Sequence, residues 1–559
     1  MSNLFELLLS FDPAGLHDAA KAWRALSSGA QSADNRHRNQ VNGPLRQSHW
    51  DGDDAKQAFY TLGRTEQILE IVRVESAAVA LTLDTVADRI YQAQTNLKNA
   101  VHRAGEWGLT VGSDGTVSLP PLSKGEQNDP EARSDPERKA LATLCTDAQE
   151  RINKALADAK EANDKGEHAL SRLDADILTR IRVFGTVGET AADVKDVAKD
   201  LGLADPYVPD NKDPQKSADW WKSLTPEQQS SYVALYPDRI GQLDGLPATV
   251  RDEANRLALD QELDSMQAGN ARGSGMTAGE YNAREHNLIT LKDQLAEHDS
   301  AAEDKQLFLL GFDPKANDGH GKTVIAMGNP DTADHTAVLV PGTGTTIDST
   351  GGNLARVNSM QEAAKQWSKG TNQKVSVVYW QDYDAPQIPV MQTADFDVAG
   401  TGRAEDGAEA LRRFTQGTRV AQGDHHSHLS VFGHSYGTTV VGAAAAGGNG
   451  LGADDIVAVA SPGMTVQRAD QLHIDPSHFW TGRADDDYLI KSISGLTLGE
   501  DPMLDRFGGN NFVTDTSGHS GYWDPKPDGT PSQSLLNQGR IIVGKAPTTV
   551  PKEYGPPSP

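Results

Sequence analysis

The run Leu429-Ser430-Val431-Phe432-Gly433-His434-Ser435-Tyr436-Gly437-Thr438, continuing through Ala446, is the most informative in the chain. A short apolar segment ends in Gly-x-Ser-x-Gly and passes directly into small, helix-compatible residues. The order is strand, sharp turn, helix. Gly433 and Gly437 stand where a strained backbone and close helix packing exclude side chains. In such a turn the Ser435 hydroxyl projects above the sheet, and the Tyr436 amide points at a developing oxyanion. The alternative is an ordinary tight turn between strand and helix that buries its serine.

The surroundings of this elbow predict the rest of the domain. From about residue 305, short apolar runs alternate with Gly-rich turns and amphipathic helices. The strand candidates are Thr323–Met327, Ala337–Val340, Val375–Trp380, Leu429–Phe432, Ile456–Ala460 and His478–Thr481. Strands alternating with helices at this spacing predict an α/β fold with a mostly parallel sheet flanked by helices. Upstream the texture is helical. Ile71, Val74, Ala78 and Leu81 recur at helical spacing, as do Leu141, Leu144, Ala148, Ile152 and Leu156. Between these stripes, residues 109–119 carry a Ser-Asp-Gly turn between Val111 and Val117, which suits a small β-hairpin. Breaks near Asp205-Pro206 and Asp213-Pro214 precede Trp220-Trp221, and Thr225-Pro226-Glu227 reads as a helix start. The expected organisation is a helical bundle over 1–185, a helical connecting region over 186–304 and an α/β domain over 305–545. A disordered Pro-rich tail over 546–559 follows. Trp220-Trp221 and Leu243–Ala248 read as interdomain packing.

A serine hydroxyl needs a base to take its proton, and the base needs an acid to hold it. In this architecture they follow in the order Ser, Asp or Glu, His. The run Asp485-Asp486-Asp487 lies just beyond the His478–Thr481 strand, at the edge of the sheet where function concentrates. Spacing alone does not choose among the three. His519, in the polar loop Thr516-Ser517-Gly518-His519-Ser520-Gly521, comes late enough to be the base. His434 would point away from the hydroxyl, and His473 and His478 precede the acid. The second oxyanion donor is expected from Val340-Pro341-Gly342-Thr343-Gly344, with the Thr343 amide first and Gly344 second. The same loop lacks the Gly-Lys-Ser/Thr ending of a phosphate loop.

Composition excludes several other functions. With 52 basic against 78 acidic side chains and a formal net charge of −26, the 559-residue chain has no general affinity for nucleic acid or anionic membrane. Its length implies at least two domains. A single cysteine, Cys145, excludes an internal disulfide and a Cys-based zinc site. His425-His426-Ser427-His428 reads as solvated loop histidines. The start lacks a secretory signal, and no apolar run reaches the roughly 18 residues of a spanning helix. Neither metal nor organic cofactor is expected.

From Trp220 to Pro547 the chain resembles an actinobacterial α/β-hydrolase family whose function is largely unknown. The resemblance is carried by Trp221 with Leu224-Thr225-Pro226, by Pro237 with Ile240–Ala248, and by Ala254-Asn255-Arg256. It continues through Leu339–Gly344, Tyr383-Asp384-Ala385-Pro386, Gly433–Gly437, Gly499-Glu500-Asp501-Pro502, Phe507-Gly508, and Gly518-His519-Ser520 with Tyr522. It implies an α/β-hydrolase domain after a long helical region. It also selects Asp487 as the acid, with Asp486 as fallback, although Tyr488 stands where the family has Pro. Asp382 replaces the family's usual Gly before Tyr383. The N-terminal region is similar to a WXG-type helical hairpin, with Trp50-Asp51-Gly52 between two helices, as in substrates and partners of type VII secretion. The accompanying Y-x-x-x-[D/E] element is absent after the second helix, and Tyr281 with Glu285 matches its spacing only far downstream.

These features predict a serine hydrolase with a Ser435–His519–Asp487 triad and an oxyanion hole from Tyr436 and Thr343. It would cleave a carboxylic ester or thioester of a small molecule or lipid. The loop Tyr383–Gly402, with Ile388, Val390, Met391 and Phe396, is long enough to be a lid over an apolar acyl group. The rival expectation is a non-enzymatic, type VII secretion-associated protein using the hydrolase fold as a binding module. Expected locations are the cytoplasm, or outside the cell by export without a cleaved signal peptide.

Overall fold

The computed structural model describes residues 4–550 apart from 49, 123, 125–135, 184–186, 202–207, 268–275, 388–395 and 495–496. The chain forms two compact units, one of residues 1–34 and 67–207, the other of residues 35–66 and 208–559. The segment 35–66, counted with the N-terminal bundle in the sequence, thus belongs to the second unit.

The first unit is built from helices α1 (Leu4–Leu9), α2 (Ala14–His37), the greater part of α4 (Asp53–Glu106), α5 (Pro136–Val183) and α6 (Val187–Asp200). α3 (Gly43–Gln47) falls in 35–66. Ala93, Leu97, Ala100 and Ala104 of α4 meet Ala148, Ile152, Ala155 and Ala159 of α5, two stripes at three- and four-residue spacing. Phe5 and Leu8 of α1 close this core. The intervening hairpin pairs β1 (Thr110–Val111) with β2 (Val117–Ser118) in antiparallel fashion. The Gln149 side chain accepts from the Val117 amide at 2.8 Å and docks the hairpin on α5.

In the second unit, α7 (Pro214–Ser223) starts on Asp213, whose carboxylate accepts from the amides of Gln215 and Lys216. α8 (Pro226–Leu235) starts on a capping box between Thr225 and Gln228, with Pro226 at its first position, as the sequence predicts. α9 (Pro237–Ile240), α10 (Ala248–Gln267) and α11 (Ala278–His298) follow. Trp221, Val233, Ile240, Leu243, Leu246 and Ala254 form a local core inside this unit. The aromatic pair and the Leu243–Ala248 segment therefore pack within one unit.

The sheet has eight strands: β3 (Leu307–Asp313), β4 (Lys322–Met327), β5 (His335–Val340), β6 (Val375–Gln381), β7 (His428–His434), β8 (Asp455–Val459), β9 (Phe479–Gly482) and β10 (Asn510–Asn511). Their order is β10-β9-β8-β7-β5-β6-β4-β3. Pairing is parallel from β10 to β6, and β4 and β3 are antiparallel additions at one edge. β3 and β10 were not among the sequence candidates. Alternate residues serve opposite layers. Leu309, Ile325, Leu339 and Val377 face α10, α11, α12 (Thr350–Trp367) and α16 (Gln533–Ile542). Leu310, Val324, Val340 and Val378 face α13 (Gly402–Gln422) and α14 (Tyr436–Ala446). Both faces are covered, which explains why the central strands read as unbroken apolar runs. From the expected tail, the Thr548 carbonyl accepts from the Val513 amide and the Val550 amide donates to the Asn511 carbonyl. Residues 551–559 lie outside the described residues.

Candidate active site

β7 ends at His434 and α14 begins at Tyr436, so Ser435 alone makes the turn. It does so at φ 54°, ψ −129°, a conformation that costs a non-glycine residue of order 1–3 kcal/mol. The surroundings hold it there. Its amide donates to the Val459 carbonyl at 3.0 Å, and its carbonyl accepts from the Thr438 hydroxyl at 2.7 Å. A Cβ on Gly437 would lie 2.3 Å from the Val340 carbonyl oxygen, and one on Gly342 would lie 2.8 Å from the Ser435 Cβ. The elbow and the loop after β5 therefore touch through glycine backbones, which places the 341–346 loop against the serine.

His519 Nε2 lies 2.9 Å from Ser435 Oγ, and His519 Nδ1 lies 2.9 Å from Asp487 Oδ2. A carboxylate only accepts, so Nδ1 carries a proton, and in the neutral ring this leaves the Nε2 lone pair toward the hydroxyl. Asp487 is 1% exposed. It caps α15 (Tyr488–Ile493) by accepting from the Ile490 amide, and it also accepts from the Tyr522 hydroxyl at 2.9 Å. The three aspartates separate by partner. Asp485 is exposed, whereas Asp486 accepts from the Gly518 amide at 2.7 Å and from the Ser517 hydroxyl. Those bonds, Ser517 first and Gly518 second, hold the Asp486 carboxyl below the usual carboxylate range. Asp487 reaches the imidazole while Asp486 ties down the loop that carries it.

His434 has a place that sequence reasoning missed. Its Nε2 donates to the His519 carbonyl at 2.9 Å, and its ring sits edge-on to Trp523. Burial, reinforced by the neighbouring His519, pushes its pKa down to about 3, so it is neutral near pH 7. No sequence signal beyond its position in the elbow marks this contact.

Of the two oxyanion candidates after β5, the Gly344 amide is engaged by the Pro386 carbonyl at 2.8 Å. The Thr343 amide has no partner among the described residues. Tyr436 opens α14 next to the serine, and its hydroxyl donates to the Gly400 carbonyl at 2.6 Å. Asp382 pairs with Lys322 at 3.0 Å. Ile388, Val390 and Met391 of the expected lid lie outside the described residues.

Three of the other histidines have structural partners. His425 donates to the Ala333 carbonyl, and buried Asp455 accepts from both His428 and His478. Burial opposes charge on His428, but the Asp455 carboxylate outweighs it and raises the His428 pKa. Among the described residues, no three His, Cys, Asp or Glu side chains gather as metal ligands, and no helix is long and apolar enough to cross a membrane.

Comparison with known proteins agrees with this architecture. An uncharacterized protein of Mycobacterium tuberculosis is 29% identical over 339 residues, covering 54% of this chain and 51% of its own length. An uncharacterized protein of Mycobacterium bovis is 26% identical over 211 residues, covering 37% of this chain and 74% of its own. The chain thus spans about half the length of the first of these relatives. Residues 313–497 match the family model described as alpha/beta hydrolase, a stretch that contains Ser435 and Asp487 and ends before His519. With a mostly parallel sheet, helices on both faces and the strand–Ser435–helix elbow, the C-terminal part of this chain is an α/β-hydrolase domain.

Proposed function

We propose that this domain is a serine hydrolase that cleaves carboxylic esters or thioesters through an acyl-enzyme. The carrying observation is the hydrogen-bonded chain Asp487–His519–Ser435 at a strained elbow. In this reading Ser435 Oγ attacks the acyl carbonyl while His519 Nε2 takes its proton, and Asp487 stabilises the imidazolium that forms. The oxyanion falls to the amides of Tyr436 and Thr343. As the tetrahedral adduct collapses, His519 returns the proton to the departing alcohol or thiol. Water then attacks the acyl carbon as His519 takes its proton, and collapse breaks the bond to Ser435 Oγ, which receives that proton as the acid leaves. A serine nucleophile argues against dehalogenase or epoxide-hydrolase chemistry, which on this fold uses Asp. Small-molecule and lipid esters both fit these steps.

A fluorophosphonate probe tests the reading. Wild type should label, Ser435→Ala should not, and His519→Ala should label at least about 100-fold more slowly, in line with loss of a general base. An unlabelled wild type sinks the proposal.

A secretion role is a second reading, supported by one feature. Trp50-Asp51-Gly52 joins α3 to α4, and Trp50 remains 43% exposed, edge-on to Phe59. We infer a WXG-like turn that a type VII secretion partner could grip, with export lacking signal cleavage as its consequence. Trp50→Ala should then abolish appearance in the culture filtrate of a host with that system while leaving ester hydrolysis unchanged. Equal export of both forms ends the role of Trp50, and absence of both from the filtrate favours a cytoplasmic enzyme.

A further inference from the structure

The segment Tyr383-Asp384-Ala385-Pro386 follows β6 and takes no part in the steps above. Its contacts nevertheless converge on the loop that carries Thr343. The Tyr383 hydroxyl donates to the Pro341 carbonyl at 2.7 Å, and the Pro386 carbonyl accepts from the Gly344 amide at 2.8 Å. One short segment thus fixes the loop on both sides of Thr343, two residues before it and one after. The Pro341 oxygen is also the atom that a Cβ on Gly437 would meet at 2.5 Å, so its position is shared with the elbow. The segment is itself anchored. The Tyr383 ring is 2% exposed and stacks on Trp380 at 6.3 Å with planes 5° apart. Asp384 accepts from His320 Nδ1 at 3.0 Å and pairs with Arg403 at the start of α13.

We propose that Tyr383, with Pro386 behind it, is a positioning residue that sets the Thr343 amide for the oxyanion. Its hydroxyl bonds the Pro341 carbonyl and acts through it. The physical reason is geometric. A glycine-flanked loop is mobile unless pinned, and an amide donor stabilises an oxyanion only when held in place before charge develops. Pinning both flanks while leaving the Thr343 amide unengaged fulfils that requirement. The inference rests on the serine hydrolase reading and deepens it.

Tyr383→Phe removes one hydroxyl and keeps the stacked ring. With p-nitrophenyl butyrate as substrate, kcat should fall on the order of 10-fold or more, with KM within about twofold. Affinity for a trifluoromethyl ketone, whose adduct carries an oxyanion, should fall by the same factor, while affinity for butyrate stays level. All measurements are made at a temperature where circular dichroism shows the variant folded. A merely structural tyrosine would leave kcat and the ketone affinity at the wild-type values, and that result overturns the inference. A wild type that takes the fluorophosphonate label beside an unchanged Tyr383→Phe sinks this inference alone. An unlabelled wild type sinks the hydrolase reading and this inference with it.

Discussion

Asp487→Asn should lower kcat about 10³–10⁴-fold, with little change in KM. The carboxylate accepts from His519 Nδ1, from the Tyr522 hydroxyl and from the Ile490 amide. An asparagine amide turned toward the ring donates to Nδ1 and moves the ring proton to Nε2. That nitrogen then has no lone pair for the Ser435 hydroxyl, 2.9 Å away. Asp486→Asn is the matched control. It keeps an acceptor for the Gly518 amide and leaves the imidazole with its own partner, so a loss below about 10-fold is expected. Steady-state kinetics on both variants, with thermal melts to show that each is folded, make the comparison. Equal losses would mean that Asp487 is not the one orienting acid.

Asp244→Ala should destabilise the second unit by about 3–5 kcal/mol, which for a unit of this size lowers Tm by roughly 5 °C. Asp244 lies in the Gly-Leu-Pro-Ala-bearing turn before α10, with a side chain 5% exposed. It pairs with Arg251 of α10 at 2.9 Å and with Arg413 of α13 at 3.0 Å. Truncation leaves two guanidinium groups, one of them buried, without their shared carboxylate, and a buried charge stripped of its partner costs more than the pair contributed. α13 also packs on α14, the helix that starts at the elbow, so the damage should reach the site as well. Differential scanning calorimetry decides the matter. A Tm within about 1 °C of wild type would show that water enters and solvates the two arginines.

The elbow and its sheet were legible because both rest on local rules. A Cβ on Gly433 would lie 2.6 Å from the Thr438 Cα five residues on, and short apolar runs with β-branched residues mark strands covered on both faces. Those constraints are written into neighbouring positions, so Leu429–Ala446 could be read without any distant contact. The six strand candidates match β4 to β9 for the same reason. β3 escaped because Leu307-Phe308-Leu309-Leu310 is a short apolar run without the β-branched residues that set the other candidates apart from helix. β10 escaped because it has two residues and exists only through its pairing with β9.

Other features depend on chain segments far apart in sequence. Asp485, Asp486 and Asp487 have the same chemistry, and spacing left all three open. They differ in space because the turn after β9 sends one carboxylate to His519, the next to the backbone of its loop and the first to water. The Gly344 amide is engaged by a carbonyl of Pro386 more than 40 positions away, and the neutral His434 bonded to the backbone of His519 is a contact across 85 residues. The inclusion of residues 35–66 in the second unit is of the same kind, since Arg46 pairs with Asp293 and Gln47 donates to the Glu297 carbonyl. Local backbone and packing constraints act over a few residues and leave a pattern in sequence. Hydrogen bonds and ion pairs across folded segments arise only when the sheet and its helices bring those segments together.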